Sequence, residues 1–394
     1  MPKKRTGIYQ RPNGTWMAQR ELGRDKLSGK RKRVTTYGKT AAEAQEKLDK
    51  ALSDIRTQTY IADRNVTVEM WFTHWLSEYA KPKVKHSTYI SYRGYINKRI
   101  VPILGHLKLL DLSVDILQRF IREQYLHGNL KTGGELSEKT VRNIYLMIHA
   151  VLAQAVKNEL VIKNVAESVV LPKVKHREIV VLTKREQYNL IVAAQNSERR
   201  YSLGVLLALK TGMRIGEICG LRWQDVDEWD RVIHVRQTLQ RQEAVEQIEG
   251  GAKTEIVIGP PKSENGRRDI PLPSSLIPYL KRQKEMQIQD EVTVGSVYQD
   301  KGYVLMNEIG YYTEPRTLQD TFKALLKEAG IERKINFHAL RHTFATRAVE
   351  ENIDYKTLSE FMGHSSVSTT MNLYAHSLDE RKRSLMDKMD RIFD

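Results

Sequence analysis

The sequence predicts a multidomain α+β protein: a small three-stranded sheet with one helix, an all-α middle domain, and a mainly α C-terminal domain carrying a small antiparallel sheet. Three observations predict it. A chain of 394 residues has room for two or three cores. Strand signals are confined to the first forty residues and to about 232–272. Elsewhere, apolar residues recur at helical spacing between capping residues. The expected divisions are residues 1–60, 61–172, a linker at 173–178, and 179–394.

The elements follow in chain order. Gly7–Tyr9 and Thr15–Leu22 flank Pro12-Asn13-Gly14, a hairpin signal. Arg33–Tyr37 makes a third strand. Thr40 with Glu43 then forms a capping box that opens a helix running to about Arg56. In the middle domain Ser87 opens a helix with Tyr89, Tyr92 and Ile96 inward, and Ser137 caps another whose Val141, Ile144, Tyr145, Ile148, Val151, Leu152 and Ala155 share a face. Leu171-Pro172-Lys173-Val174-Lys175-His176-Arg177 reads as a linker, either a basic strap or a solvated connector. Thr183 and Glu186 make another capping box. Strands are expected at Val232–Val235, Glu255–Ile258 and Arg268–Leu272. The excursion 237–261, turning at Gly250-Gly251, is either a hairpin that shapes DNA or a tolerated insertion. Leu385, Met386, Met389, Ile392 and Phe393 give the terminal segment an apolar face.

Charge points to a partner. The formal net charge is +16, and residues 1–39 carry +10 of it, with 12 Lys/Arg against Glu21 and Asp25. Such concentration favours a polyanion, nucleic acid before a membrane surface. Arg20, Lys30, Arg31, Lys32 and Arg33 on the open face of the first sheet could enter a DNA groove, contact phosphates alone, or do neither. Lys83, Lys85, Lys173, Lys175 and Arg177 are further candidates for DNA contact or for plain surface. The single cysteine, Cys219, excludes an intramolecular disulfide and reads as a buried thiol in a reducing cytoplasm. No apolar run approaches the roughly 20 residues of a transmembrane helix. The start, Pro2-Lys3-Lys4-Arg5, lacks the apolar core of a signal peptide. The expectation is a soluble, cytoplasmic protein.

Short strings in the last third carry the chemistry. Arg214 and Glu217, three apart in R-I-G-E, are expected on one helix face, the carboxylate fixing a guanidinium fork able to hold two phosphate oxygens. His338 and Arg341 in H-A-L-R repeat the spacing among apolar neighbours, and a buried arginine needs an anionic partner. Lys262 lies in a turn between strands, where it could protonate a departing oxygen or stand exposed. Arg267 and Arg268 nearby read as phosphate contacts or surface. His364 ends a helix and Tyr374 follows ten residues later. A phenol with a pKa near 10 attacks at neutral pH only beside a base or in a cationic setting. Each string alone has an ordinary structural explanation; together they suit tyrosine attack on a phosphodiester.

In this order, Arg214, Lys262, His338-x-x-Arg341, His364 and Tyr374 resemble the signature of the tyrosine recombinase (phage integrase) family, over about residues 60–385. The layout is similar to integrases of conjugative transposons and temperate phages. The resemblance implies a nucleophilic Tyr374 forming a 3′-phosphotyrosyl link. It implies Arg214, Arg341 and His364 stabilising the phosphorane, His338 as acid/base, Lys262 as general acid, and Glu217 in support. It implies no metal, ATP or other cofactor. It implies an arm-binding domain at 1–60, a core-binding domain at 61–172, and a homotetramer on double-stranded DNA whose tails exchange between protomers. An excisionase or a host DNA-bending protein would assist. Rival expectations are a type IB topoisomerase-like relaxing enzyme and a non-catalytic DNA-binding regulator.

Overall fold

The computed structural model describes residues 6–24, 31–56, 65–173, 179–244, 253–261, 264–374 and the isolated positions 386, 390 and 392. The chain forms two compact units, residues 1–176 and 177–394.

In the first unit, β1 (Thr6–Gln10), β2 (Trp16–Arg24) and β3 (Arg31–Gly38) form an antiparallel sheet in that order, followed by α1 (Ala41–Arg56). The β1–β2 turn closes where predicted. Gly14 adopts φ 81, the left-handed region that glycine tolerates, and Asn13 Oδ1 accepts from the Thr15 hydroxyl at 2.7 Å. Thr40 Oγ1 accepts from the Glu43 amide, but the Glu43 carboxylate reaches back to the Lys39 amide rather than to Thr40. Ala18, Val34, Ala44 and Leu48 make the small core between sheet and helix.

The register corrects one expectation. Ala18 faces α1, so with a two-residue repeat Arg20, opposite Val34, belongs to that face and not to the open one. Tyr9, Met17, Gln19, Glu21, Arg33, Thr35 and Tyr37 take the opposite parity, so that face is mainly aromatic and polar, with Arg33 its basic member among these positions. Lys30 lies outside the described residues, and the backbones of Arg31 and Lys32 belong to β3.

A separate helical core follows, built by α2 (Val68–Trp75), α3 (His86–Tyr95), the short α4 (Val101–Leu104), α5 (Val114–His127) and α6 (Glu138–Lys157). Ser137 caps α6, and Val141, Ile144, Met147, Ile148, Val151, Leu152 and Ala155 are buried along it. Tyr145 is only partly buried and sends its hydroxyl to Ala166 O. The α3 helix starts one residue before Ser87, at His86, with Lys85 as an extended N-cap. Lys83 and Lys85 are exposed beside that start, and Lys173 is exposed near the end of the unit; Lys175 and Arg177 lie outside the described residues.

The second unit contains α7 (Lys184–Asn196), α8 (Ser202–Thr211), the single turn α9 (Ile215–Cys219), β4 (Val226–Asp227), β5 (Val232–Val235), β6 (Thr238–Glu243), β7 (Thr254–Gly259), β8 (Arg268–Pro271), α10 (Ile277–Val294), α11 (Pro315–Glu328), α12 (His338–Glu350), α13 (Tyr355–Met362) and α14 (Val367–Tyr374). The Thr183–Glu186 capping box is formed in both directions. Strands β4, β5 and β8 make one antiparallel sheet, with Ile233, Val235 and Ile270 in the core. The excursion is a hairpin of its own, β6 against β7, whose Gly250-Gly251 turn lies outside the described residues. Across it Arg241 pairs with Glu314 ahead of α11. Cys219 is buried and its thiol is pushed up to about 12 by burial. Among the described residues no helix is long and apolar enough to cross a membrane.

Helix α8 is buried on nearly all sides. At Gly204 an added Cβ would lie 2.7 Å from Leu318 Cδ1 and 2.9 Å from Leu305 Cδ1. Gly204→Val should therefore destabilise the protein by about 1–3 kcal/mol through overpacking, read as a lowered urea midpoint at unchanged slope.

Candidate active site

Two helix ends build the site. Helix α8 stops at Gly212 and helix α13 at Gly363, both left-handed (φ 67 and φ 57). After α13 the Gly363 amide bonds to Glu360 O and the His364 amide to Ser359 O, a Schellman stop. This geometry leaves the last carbonyls of α13 without intrahelical donors. Three arginines supply them. Arg268 Nε donates to Phe361 O at 2.6 Å, an Arg341 Nη to Met362 O, and Arg214 Nη2 to Gly363 O at 3.1 Å. Arg341 also donates to Gly212 O at 2.6 Å, so one guanidinium ties both helix ends together.

Glu217 organises the same arginines from the other side. Its side chain is 1 % exposed. Arg214 Nη1 donates to its Oε1 at 2.8 Å and the Arg214 amide to its Oε2 at 2.9 Å. Arg268 grips both oxygens, Nη1 to Oε1 at 3.1 Å and Nη2 to Oε2 at 2.8 Å. Burial works to raise this carboxyl, but the bonds and charge of Arg268, then of Arg214, outweigh it and hold it at about 2. The 214/217 spacing operates differently from the helix-face expectation. Arg214 is the extended N-cap of α9 (φ −76, ψ 150), and Glu217 reaches back to it as a capping carboxylate.

Arg268 is the larger correction. It is not a surface residue: its side chain is 6 % exposed and inserted between α9 and α13. Arg267, by contrast, is exposed, and both arginines line an open cleft of about 390 Å³ with Asn265, Lys356, His364 and Ser366.

His338 and Arg341 stand on the first turn of α12 as the spacing predicted, Arg341 buried and His338 with an exposed edge. Partial withdrawal from water, then the charges of Arg341 and Arg214, lower the His338 pKa. His342, one turn on, was not anticipated. Its ring meets that of His338 edge to face at 4.7 Å between centroids. Its only sequence signal is the four-residue repeat from His338. His364 Nδ1 lies 2.8 Å from Thr370 Oγ1 on α14, and its carbonyl accepts from Asn265 Nδ2 at 3.2 Å. Burial first, then Arg341 and Arg214, depress His364 to about 4.

Tyr374 ends α14 one turn beyond Thr370; the backbone is described, its side chain is not. Lys262 lies outside the described residues; the segment Glu264–Gly266 that follows is tied to His364 through Asn265. The arrangement brings Arg214, Glu217, His338, Arg341 and His364 together around the end of α13. It offers cationic donors and neutral imidazoles to an anion.

These imidazoles set a pH dependence. His342 and His364 are both held at about 4, below the ordinary 6.5. Below pH 6.5 the folded protein thus binds fewer protons than the unfolded chain, so stability is retained above that value and lost as pH falls toward 4. The urea midpoint should fall between pH 7.5 and pH 5, and His342→Gln should flatten that dependence.

The chain matches known proteins along nearly its whole length. Residues 181–381 match the phage integrase family, and residues 67–124 match the phage integrase N-terminal SAM-like domain. A tyrosine recombinase XerC-like protein of Caldanaerobacter subterraneus is 30% identical over 380 residues, covering 94% of this chain and 95% of that one. The fold is similar to that of the Tn1549 transposon integrase in complex with a circular intermediate DNA (TM-score 0.65, 22% identity, 82% of this chain and 99% of that one). It is also similar to a lambda integrase tetramer bound to a Holliday junction (TM-score 0.55, 20% identity, 92% and 94%). The chain belongs to the phage integrase family, the tyrosine recombinases, and is an enzyme that cleaves and rejoins DNA at specific sites.

Proposed function

We propose that the chain integrates and excises a mobile element, a conjugative transposon or a prophage, with Tyr374 as its nucleophile. The observation that carries this reading is the meeting of Arg214, Arg341 and His364 at the end of α13, one helix away from Tyr374. The phenolic oxygen of Tyr374 bonds to the scissile phosphorus and the bond to the 5′ oxygen breaks. The result is a 3′-phosphotyrosyl ester and a free 5′ hydroxyl, with the ester energy conserved for rejoining. Arg214 and Arg341 balance the charge gained on the phosphorane, and His364 adds a hydrogen bond. His338, whose lowered pKa keeps it neutral at pH 7, accepts the phenolic proton. Lys262 donates a proton to the leaving oxygen. Glu217 holds Arg214 in place.

Relatives suggest the wider assembly. The Tn1549 protein is a transposon integrase seen with DNA, and the lambda protein is seen as a tetramer on a Holliday junction. By analogy this chain pairs two core sites as a homotetramer, contacting DNA with Lys83, Lys85, Lys173, Lys175 and Arg177. The N-terminal sheet, through Arg33 and its basic neighbours Lys30, Arg31 and Lys32, reads separate arm sites. Met386 and Ile392, 68% and 71% exposed, support an apolar tail that docks on a neighbouring protomer. An excisionase or host DNA-bending protein sets direction.

Tyr374→Phe should bind core DNA with unchanged affinity yet form no covalent adduct on a nicked suicide substrate; adduct at the native level would remove Tyr374 from this role. Arg214→Ala and Arg341→Ala should each slow cleavage by about 10²–10³-fold, with a much smaller change in affinity, in single-turnover assays. Removing residues 1–60 should leave cleavage of core sites intact and abolish integration between full attachment sites.

A further inference from the structure

Arg268 belongs to none of the roles above, yet its guanidinium is committed more completely than that of Arg214. Nε donates to Phe361 O, Nη1 to Gly266 O and Glu217 Oε1, and Nη2 to Glu217 Oε2. Those contacts occupy four of the five N–H groups of an arginine, leaving no paired fork for an incoming phosphate. The backbone of Arg268 is fixed as well, opposite Val235 in the β5–β8 ladder. Gly363 packs directly on it: a Cβ there would lie 3.1 Å from both Arg268 Cδ and Nη1.

We propose that Arg268 is a positioning residue for DNA cleavage, holding Arg214 through Glu217 and the His364 turn through Phe361 without touching DNA. This rests on the reading that Arg214 and His364 engage the scissile phosphate. A buried rigid fork suits the task, because it joins an anion and a carbonyl on two different elements at fixed angles. Lysine can match the charge at one point only. Without the second bond, the helix end that presents His364 and the carboxylate that orients Arg214 are free to shift independently. A displacement of about 1 Å in a reacting constellation can cost about 10²-fold in rate.

The test compares Arg268→Lys and Arg268→Gln with the native enzyme on suicide substrates, one with a normal scissile phosphate and one with a neutral methylphosphonate there. Native enzyme must first yield a Tyr374-dependent adduct on the phosphate substrate; its absence refutes the underlying reading and not Arg268 alone. Given that adduct, both variants should bind core DNA within about twofold of native. On the phosphate substrate cleavage should fall about 10–100-fold. On the methylphosphonate, which carries one charge fewer for Arg214 to balance, the deficit should shrink to about threefold or less. An equal deficit on both substrates, an affinity loss that accounts for the whole defect, or an unchanged rate would overturn the proposal. So would failure of Arg268→Lys to fold, which would assign the residue to stability alone.

Discussion

The Glu217 carboxylate, buried between the guanidiniums of Arg214 and Arg268, is the constraint on which the catalytic unit depends. Breaking a buried pair by removing one partner typically costs about 3–5 kcal/mol, because the other charge stays behind unpaired. Here the penalty would fall on two arginines at once. The arrangement also fixes the sign of the site. Three guanidiniums and this carboxylate meet at the end of α13, so this cluster is net positive, the sign that suits an anion. Burial and that positive charge act in the same direction on His338 and His364, both of which are biased toward the neutral form.

Helix ends do much of the assembly. A helix C-terminus is a row of carbonyls carrying partial negative charge, and cations are favoured there. In α13 three consecutive carbonyls each take a different arginine, from α9, β8 and α12. Elements distant in sequence are thereby locked to one another by polar groups, while the apolar core around α8 supplies the bulk of the burial. The two left-handed glycines matter for the same reason. Each turns the chain sharply enough that Arg214 and His364 leave their helices, and Arg214 then reaches the Gly363 carbonyl.

What the sequence made legible was local. The Asn13-Gly14 turn, the Thr183 box, the Ser137 cap and strand Val232–Val235 are settled by neighbours a few residues away, and they form as expected. The strings holding Arg214, His338-x-x-Arg341 and His364 stand out because their order along the chain resembles a family pattern, and the fold brings them together. Arg268 was not, since an arginine pair in a polar turn looks solvated until β8 pairs with β5 and α13 closes over it from ninety residues away. The face assigned to Arg20 failed for a related reason. Strand alternation gives two faces, but only the packing of Ala18 against α1 says which is covered. For Arg214, spacing of three suits a helix face, but an N-cap residue meets its third neighbour equally well.

The lone thiol has a consequence of its own. Cys219 is sealed among apolar residues beside Glu217, and burial keeps it protonated far beyond physiological pH. Thiolate is the form that peroxides and electrophiles attack, so neither finds a target here. The one sulfhydryl of this chain is thereby shielded from the oxidants that consume exposed thiolates.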